Sequence, residues 1–390
     1  MRVTRPFIFL IIAAVLILIG AAGVIYFDRG SATSSPPDQI QPTKTVALPL
    51  LTTSQQTSIP TLLPSPAPTN TQVLPTSIET RAANTPDSIA VTPTSNTAIG
   101  VDSCAAIWGF TQPQLGIPDV LSFPITSQEL HTENDYYYLA AMLIKNKAVD
   151  TTGCLYEGLQ TFTTASMCGV NAARPQLIEW QNKFDPYIFN SGNLTGISPR
   201  LIKELFALES QFWPGYYQTI ISSGLGQLNQ NGADSLFIYH PEYYQRICPQ
   251  VLHPDACKMN YDELSENEKS LLRGRLVSQV NADCPTCQTG VNLPIAYESV
   301  QIFTDVIKAN CQQVNNLIYN ITYVRPANLI SYVDLWRFTL ANYNSGSGCA
   351  AKALESAWIT YRDLDWAHVS QFFIARECSP ALFYVNEIFP

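Results

Sequence analysis

The chain is poor in charge, and poorer still in clustered positive charge. Of its 390 residues 14% are charged, with 22 Lys and Arg against 31 Asp and Glu, for a net charge of −9. No run of Lys or Arg occurs. Proteins hold a phosphate backbone by displacing its counterions with paired cations, so nucleic acid is excluded as a partner. Strong attraction to anionic lipid headgroups is excluded on the same ground. The four histidines, His131, His240, His253 and His368, share no metal-ligand spacing, so no metal or other cofactor is expected. No nucleophile-elbow motif is present to support a Ser/His/Asp triad. No run of alternating β-branched residues is long enough for a sheet core, and no internal repeat of fixed period is found.

Other absences are local and divide the chain into regions. Residues 30–100 hold no aromatic residue and no cysteine. This Pro/Thr/Ser tract cannot bury enough apolar surface to offset chain entropy, and is expected to be a disordered stalk. Before it, Phe7 to Phe27 is unbroken by charge and long enough to cross a hydrocarbon core of about 30 Å. Arg2 and Arg5 precede it, which places residues 1–29 as a cytoplasmic tip and membrane anchor and everything after them outside the cell. A cleaved signal peptide ending near Gly20-Ala21-Ala22 is the alternative, and it exports the rest equally. All ten cysteines lie after residue 100, as expected for disulfides in an oxidising exterior. Residues 101–390 are expected to be mainly helical. Helices are read over 136–148, 175–188, 298–318, 328–342, 351–361 and 366–376, with Ser265 and Glu268 as a capping box.

Residues 198–213 read SPRLIKELFALESQFW. Ser198 suits an N-cap and Pro199 suits N1, where its missing N–H costs nothing. The spacing predicts a helix with two apolar stripes. Leu201, Leu205, Leu208 and Phe212 form one. Ile202, Phe206 and Trp213 form the other, with Glu209 between the last two. A carboxyl there is expected to be desolvated, which raises its pKa and suits a general acid at neutral pH. Glu204, one turn from Arg200, reads instead as a solvated ion pair. The alternative for Glu209 is an inert carboxyl at a helix end.

Two further motifs follow. Gly224-Leu225-Gly226-Gln227 lies downstream of Glu209-Ser210, and Ala341-Asn342-Tyr343-Asn344-Ser345-Gly346 stands at the end of an expected helix. In this order the three resemble the Glu-Ser, Gly-Leu-x-Gln and Ala-x-Tyr-Asn-x-Gly motifs of the soluble-lytic-transglycosylase-like (SLT) domain of the lysozyme superfamily. The match covers about 175 to 235 and about 328 to 350. The resemblance implies that Glu209 protonates the bond between N-acetylmuramic acid and N-acetylglucosamine in peptidoglycan. Glu209 then acts as base on the muramoyl C6 hydroxyl, so that a 1,6-anhydro ring forms without water. One carboxyl therefore suffices, unlike the pair used by most glycosidases. The resemblance also implies that Ser210, Gly224, Leu225, Gln227, Tyr343 and Asn344 bind substrate. Three features depart from it: Gly226 replaces the family's Met, Asn229-Gln230 stands where a Pro is usual, and the stretch from about 235 to 325 is long and holds five cysteines.

The expected fold is therefore a lysozyme-like helical core over 175–390. A helical extension over 101–174 precedes it, and a disulfide-rich helical insertion lies within it. The expected partners are peptidoglycan glycan strands, with the membrane engaged through the N-terminal helix, and the expected state is a monomer. A hydrolytic lysozyme- or chitinase-like glycosidase and a non-catalytic wall-binding module are the rival readings. Cys248, Cys257, Cys284 and Cys287 could hold zinc, but outside the cell they read as disulfides. The segments 213–217 and 239–244 are aromatic and suit either sugar stacking or the core. Asp234 is a candidate second carboxyl.

Overall fold

The structure, a computed structural model, describes residues 117–216 and 222–390. The expected anchor, stalk and beginning of the helical extension lie outside the described residues. Among the described residues no helix is long and apolar enough to cross a membrane. The described chain is mainly helical, and its two short strands, β1 (Leu159–Thr161) and β2 (Thr164–Ala165), pair antiparallel.

Local chemistry sets the helix boundaries. Helix α1 (Tyr137–Lys145) is nearly all apolar, and six of its residues are buried. The stretch expected as one helix over 175–188 is divided between α2 (Met167–Asn182) and α3 (Asp185–Thr195). Pro175 sits inside α2, and Pro186 opens α3 rather than ending a helix, because a proline in the first turn loses no hydrogen bond. Helix α4 (Pro199–Ser210) starts as expected, with the Ser198 side chain capping the Leu201 N–H. Next come α5 (Gln230–Tyr239), α6 (Pro241–Ile247) and α7 (Glu266–Val280), the last with the Ser265–Glu268 capping box in place. The chain ends with α8 (Leu293–Thr322), α9 (Tyr332–Ser345), α10 (Ser347–Tyr361), the short α11 (Trp366–Val369) and α12 (Pro380–Ile388).

Helix α8 is shared by five of the others: α3, α5, α7, α9 and α10 all pack on it. All of α8 falls within the stretch read from sequence as an insertion, and its Val300, Phe303, Val306, Ile307, Val314 and Ile318 are buried in the main core. On the other side of the core, Lys203 of α4 is 3% exposed. Its Nζ donates to Asn182 Oδ1 and Asp185 Oδ1, both at 2.7 Å, and to the carbonyl of Leu130. This buried pair ties the turn at Ser127–Leu130 to α3 and α4.

Disulfides join Cys154 to Cys168, Cys248 to Cys257, Cys284 to Cys287 and Cys349 to Cys378, and Cys311 is also disulfide-bonded. The Cys248 and Cys284 pairings remove the four thiolates that a zinc site would need.

Candidate active site

Glu209 stands in the last turn of α4, and the chain turns away directly after it. Gln211 and Phe212 have φ of 49° and 64°, two consecutive left-handed residues without a glycine. Such a conformation costs about 1–3 kcal/mol per residue and persists only where neighbours enforce it. Here Gln211 Oε1 accepts the N–H of Tyr138 at 2.9 Å and thereby caps α1. The Phe212 carbonyl accepts Trp180 Nε1–H at 3.0 Å. The two apolar stripes therefore hold only as far as the helix does. Leu201, Ile202, Leu205 and Phe206 are buried by helical spacing, whereas Phe212 and Trp213 are buried by the turn. Trp213 stacks on Trp180 with 5.8 Å between ring centroids, so it is core rather than a sugar platform. On the outer face of α4, Arg200 pairs with Asp119 and Glu129, and Glu204 is exposed.

The Glu209 side chain is half-buried, and its Oε1 accepts a hydrogen bond from Tyr384 Oη at 2.6 Å. Tyr384 comes from α12, which packs on α4 and α9. Burial pushes the Glu209 carboxyl up to about 7, and the Tyr384 hydrogen bond opposes that rise only in part. Tyr343 lies near enough for the Glu209 charge to act on it. Burial first and that charge second hold the Tyr343 and Tyr384 phenols well above their usual range. The three side chains form a cluster in which the carboxyl is the group that exchanges a proton near neutrality.

Residues 222–228 form the wall beside this cluster, and α4 holds them in place. Ser210 Oγ donates to the Leu225 carbonyl at 2.8 Å. Ser210, Gly224 and Leu225, expected to bind substrate, are all buried and frame the site. Gly224 has φ of +80°, and a Cβ there would lie 2.7 Å from Phe303. At Gly226 a Cβ would lie 2.5 Å from the Phe303 ring and 2.9 Å from Tyr343 Oη. Phe303 of α8 thus occupies the space beside this residue and leaves no room for a larger side chain at Gly226. Tyr343 Oη donates to the Gly226 carbonyl. Gln227 is 8% exposed, and its Nε2 donates to the carbonyls of Gly224 at 2.7 Å and Gly215 at 3.3 Å. Asn229 caps α5 by accepting the Gly232 N–H on its side-chain oxygen at 2.9 Å.

A groove of about 400 Å³ opens next to this wall, between the start of α5, the end of α9 and the start of α10. Gln227, Tyr343 and Asn344 line it, together with Asn231, Asn310 and Asn342. No Lys, Arg or His lines it, and its acidic residue, Asp234, is held by Arg273 Nε at 2.6 Å, by Arg273 Nη2 at 2.8 Å and by Tyr261 Oη. Asp234 is therefore an ion-pair partner rather than a second catalytic carboxyl. Glu209 does not line the groove. Tyr343 joins the two features, since it borders the groove and senses the Glu209 charge.

Sequence reasoning missed Tyr384 and Phe303. Nothing local marks either residue, since each owes its role to a helix packing from elsewhere in the chain. Of the aromatic pairs in the second cluster, Tyr243 and Tyr244 are buried and pack with Phe237, which is core packing. Asp363, Asp365 and His368 bring polar atoms within 4.8 Å of one another. Asp365 there caps α11 through the His368 N–H, and both carboxylates lie within 3.2 Å of His368 Nδ1. Compared with known proteins, the chain matches no family model, no curated protein and no solved structure.

Proposed function

We propose that this protein is a peptidoglycan lytic transglycosylase, held at the outer face of a membrane, with Glu209 as its single acid and base. One observation carries the reading. A carboxyl with a pKa of about 7 sits on Tyr384, and Tyr343 links it to a polar groove that no cation lines. Protonated Glu209 donates to the glycosidic oxygen between N-acetylmuramic acid and N-acetylglucosamine, and the muramoyl C1–O bond breaks with N-acetylglucosamine leaving as the hydroxyl that carries this proton. The resulting carboxylate takes the proton of the muramoyl C6 hydroxyl, whose oxygen closes on C1. A pKa near the working pH lets one group do both steps. The uncharged amides and hydroxyls of the groove suit a neutral glycan strand. The commitment of Asp234 to Arg273 supports a mechanism with one carboxyl rather than two.

The test is digestion of isolated peptidoglycan by the wild type and by Glu209→Gln. Anhydro-muramoyl ends from the wild type, and a loss of at least about 10³-fold in the variant, are expected. Free reducing muramic ends without anhydro product would assign a hydrolytic lysozyme instead. One observation favours a second reading: Glu209 does not itself line the groove, as a non-catalytic glycan-binding module would allow. Such a module would bind peptidoglycan equally with Glu or Gln at position 209 and release nothing from it.

A further inference from the structure

The C-x-x-C turn, Cys284-Pro285-Thr286-Cys287, has no part in the proposed chemistry, yet it leans on the segment that follows the acid. Its disulfide closes a loop of sequence separation 3. So short a loop removes little chain entropy, and the bond's main effect is local. The Cys287 N–H donates to the Cys284 carbonyl at 2.9 Å, and the Cys284 N–H to the Gly290 carbonyl at 2.9 Å. Asp283, at the head of the turn, accepts the Tyr216 N–H on Oδ2 at 3.2 Å. Its other oxygen lies over Gly215, where a Cβ would come within 1.9 Å of it. The neighbouring Ala282 N–H donates to the Pro214 carbonyl at 3.0 Å. Across the same segment, the Gly215 carbonyl accepts the Gly224 N–H at 3.0 Å and Gln227 Nε2 at 3.3 Å. The segment 214–216 is thus clamped between the turn on one side and the Gln227 loop on the other.

We infer that Asp283, carried on the Cys284–Cys287 turn, is a positioning residue for the candidate site: it sets Gly215 and Tyr216, and through the Gly215 carbonyl it sets Gln227. The inference rests on the reading of the Gln227 loop as part of the active site. Asp283 is exposed, so its removal opens no core cavity, and its effect should be confined to this clamp.

The experiment uses the full chain with Asp283→Ala, Asp283→Asn and the double variant Cys284→Ser/Cys287→Ser. Amide hydrogen exchange is followed at Tyr216 and Gly224, with α8 as the internal control, beside turnover of peptidoglycan. In Asp283→Ala, exchange at Tyr216 should rise about tenfold while α8 is unchanged. Turnover should fall about tenfold with KM within about twofold. Asp283→Asn keeps an acceptor oxygen and should retain most activity, whereas the double serine variant should resemble Asp283→Ala. Unchanged exchange at Tyr216 and Gly224 in Asp283→Ala overturns the inference, and so does an Asp283→Asn variant as impaired as Asp283→Ala. If the wild type does not cleave peptidoglycan, the functional reading fails by itself, and exchange at these two amides still decides the clamp.

Discussion

At the scale of single residues, the site depends on what surrounds one carboxyl. Glu204 and Glu209 share a helix, but Glu204 faces water while Glu209 faces Tyr384 and Tyr343. Two consequences are measurable. Tyr384 donates to the ionised carboxylate and so holds the Glu209 pKa below where burial alone would put it. Tyr384→Phe should raise that pKa by roughly one unit. The alkaline limb of the pH–rate profile, where the acid form is lost, then moves to higher pH. The second consequence concerns stability. Between the usual carboxylate range and about 7 the folded chain keeps a proton that the unfolded chain has released. Stability from this group is therefore present at low pH and is lost as pH rises through that window. Glu209→Gln should remove this dependence, so thermal melts at pH 5 and pH 8 should show the variant gaining on the wild type at the higher pH.

At the scale of elements, the 222–228 loop is shaped from outside. Gly226 is small because Phe303 of α8 and the Tyr343 hydroxyl occupy the room around it. Gly226→Ala should destabilise the fold by about 1–3 kcal/mol, since the clash is with a packed ring rather than a flexible chain end. Combining it with Phe303→Leu should cost less than the sum of the two single changes, because the smaller side chain vacates the contested space. Urea unfolding of the four proteins in this cycle measures the coupling. A strictly additive pair would mean that Phe303 does not constrain the loop.

At the scale of the whole molecule, one buried ion pair joins parts of the chain distant in sequence. Burial lowers the Lys203 pKa and raises that of Asp185, while each charge favours the other's ionised form. Lys203→Met leaves Asp185 and the Leu130 carbonyl without their donor and should cost about 3–5 kcal/mol. Lys203→Met with Asp185→Leu should recover part of that loss, because no lone buried charge remains. Chemical denaturation at neutral pH tests both. Acidification should narrow the gap between Lys203→Met and the wild type, since protonated Asp185 no longer needs a cation.

The helical class, the N-caps at Ser198 and Ser265 and the pairing of cysteines as disulfides were all legible in the sequence. Each depends on neighbours within a few positions or on composition, which the linear chain carries directly. The C-terminal end of α4 and the apolar stripe past Ser210 were not, because the left-handed turn at Gln211 and Phe212 is imposed by α1 and by Trp180. Tyr384, lying 175 residues beyond Glu209, and Phe303, reaching the loop from α8, were invisible for the same reason. That α8, within the stretch read as an insertion, packs into the main core was likewise settled by contacts with helices distant in sequence. The sequence by itself thus determined the helical class and the local caps, through composition and periodicity. Tertiary packing alone decided what Glu209 touches and how its pKa is set, because desolvation and hydrogen bonding depend on atoms that only the folded chain brings together.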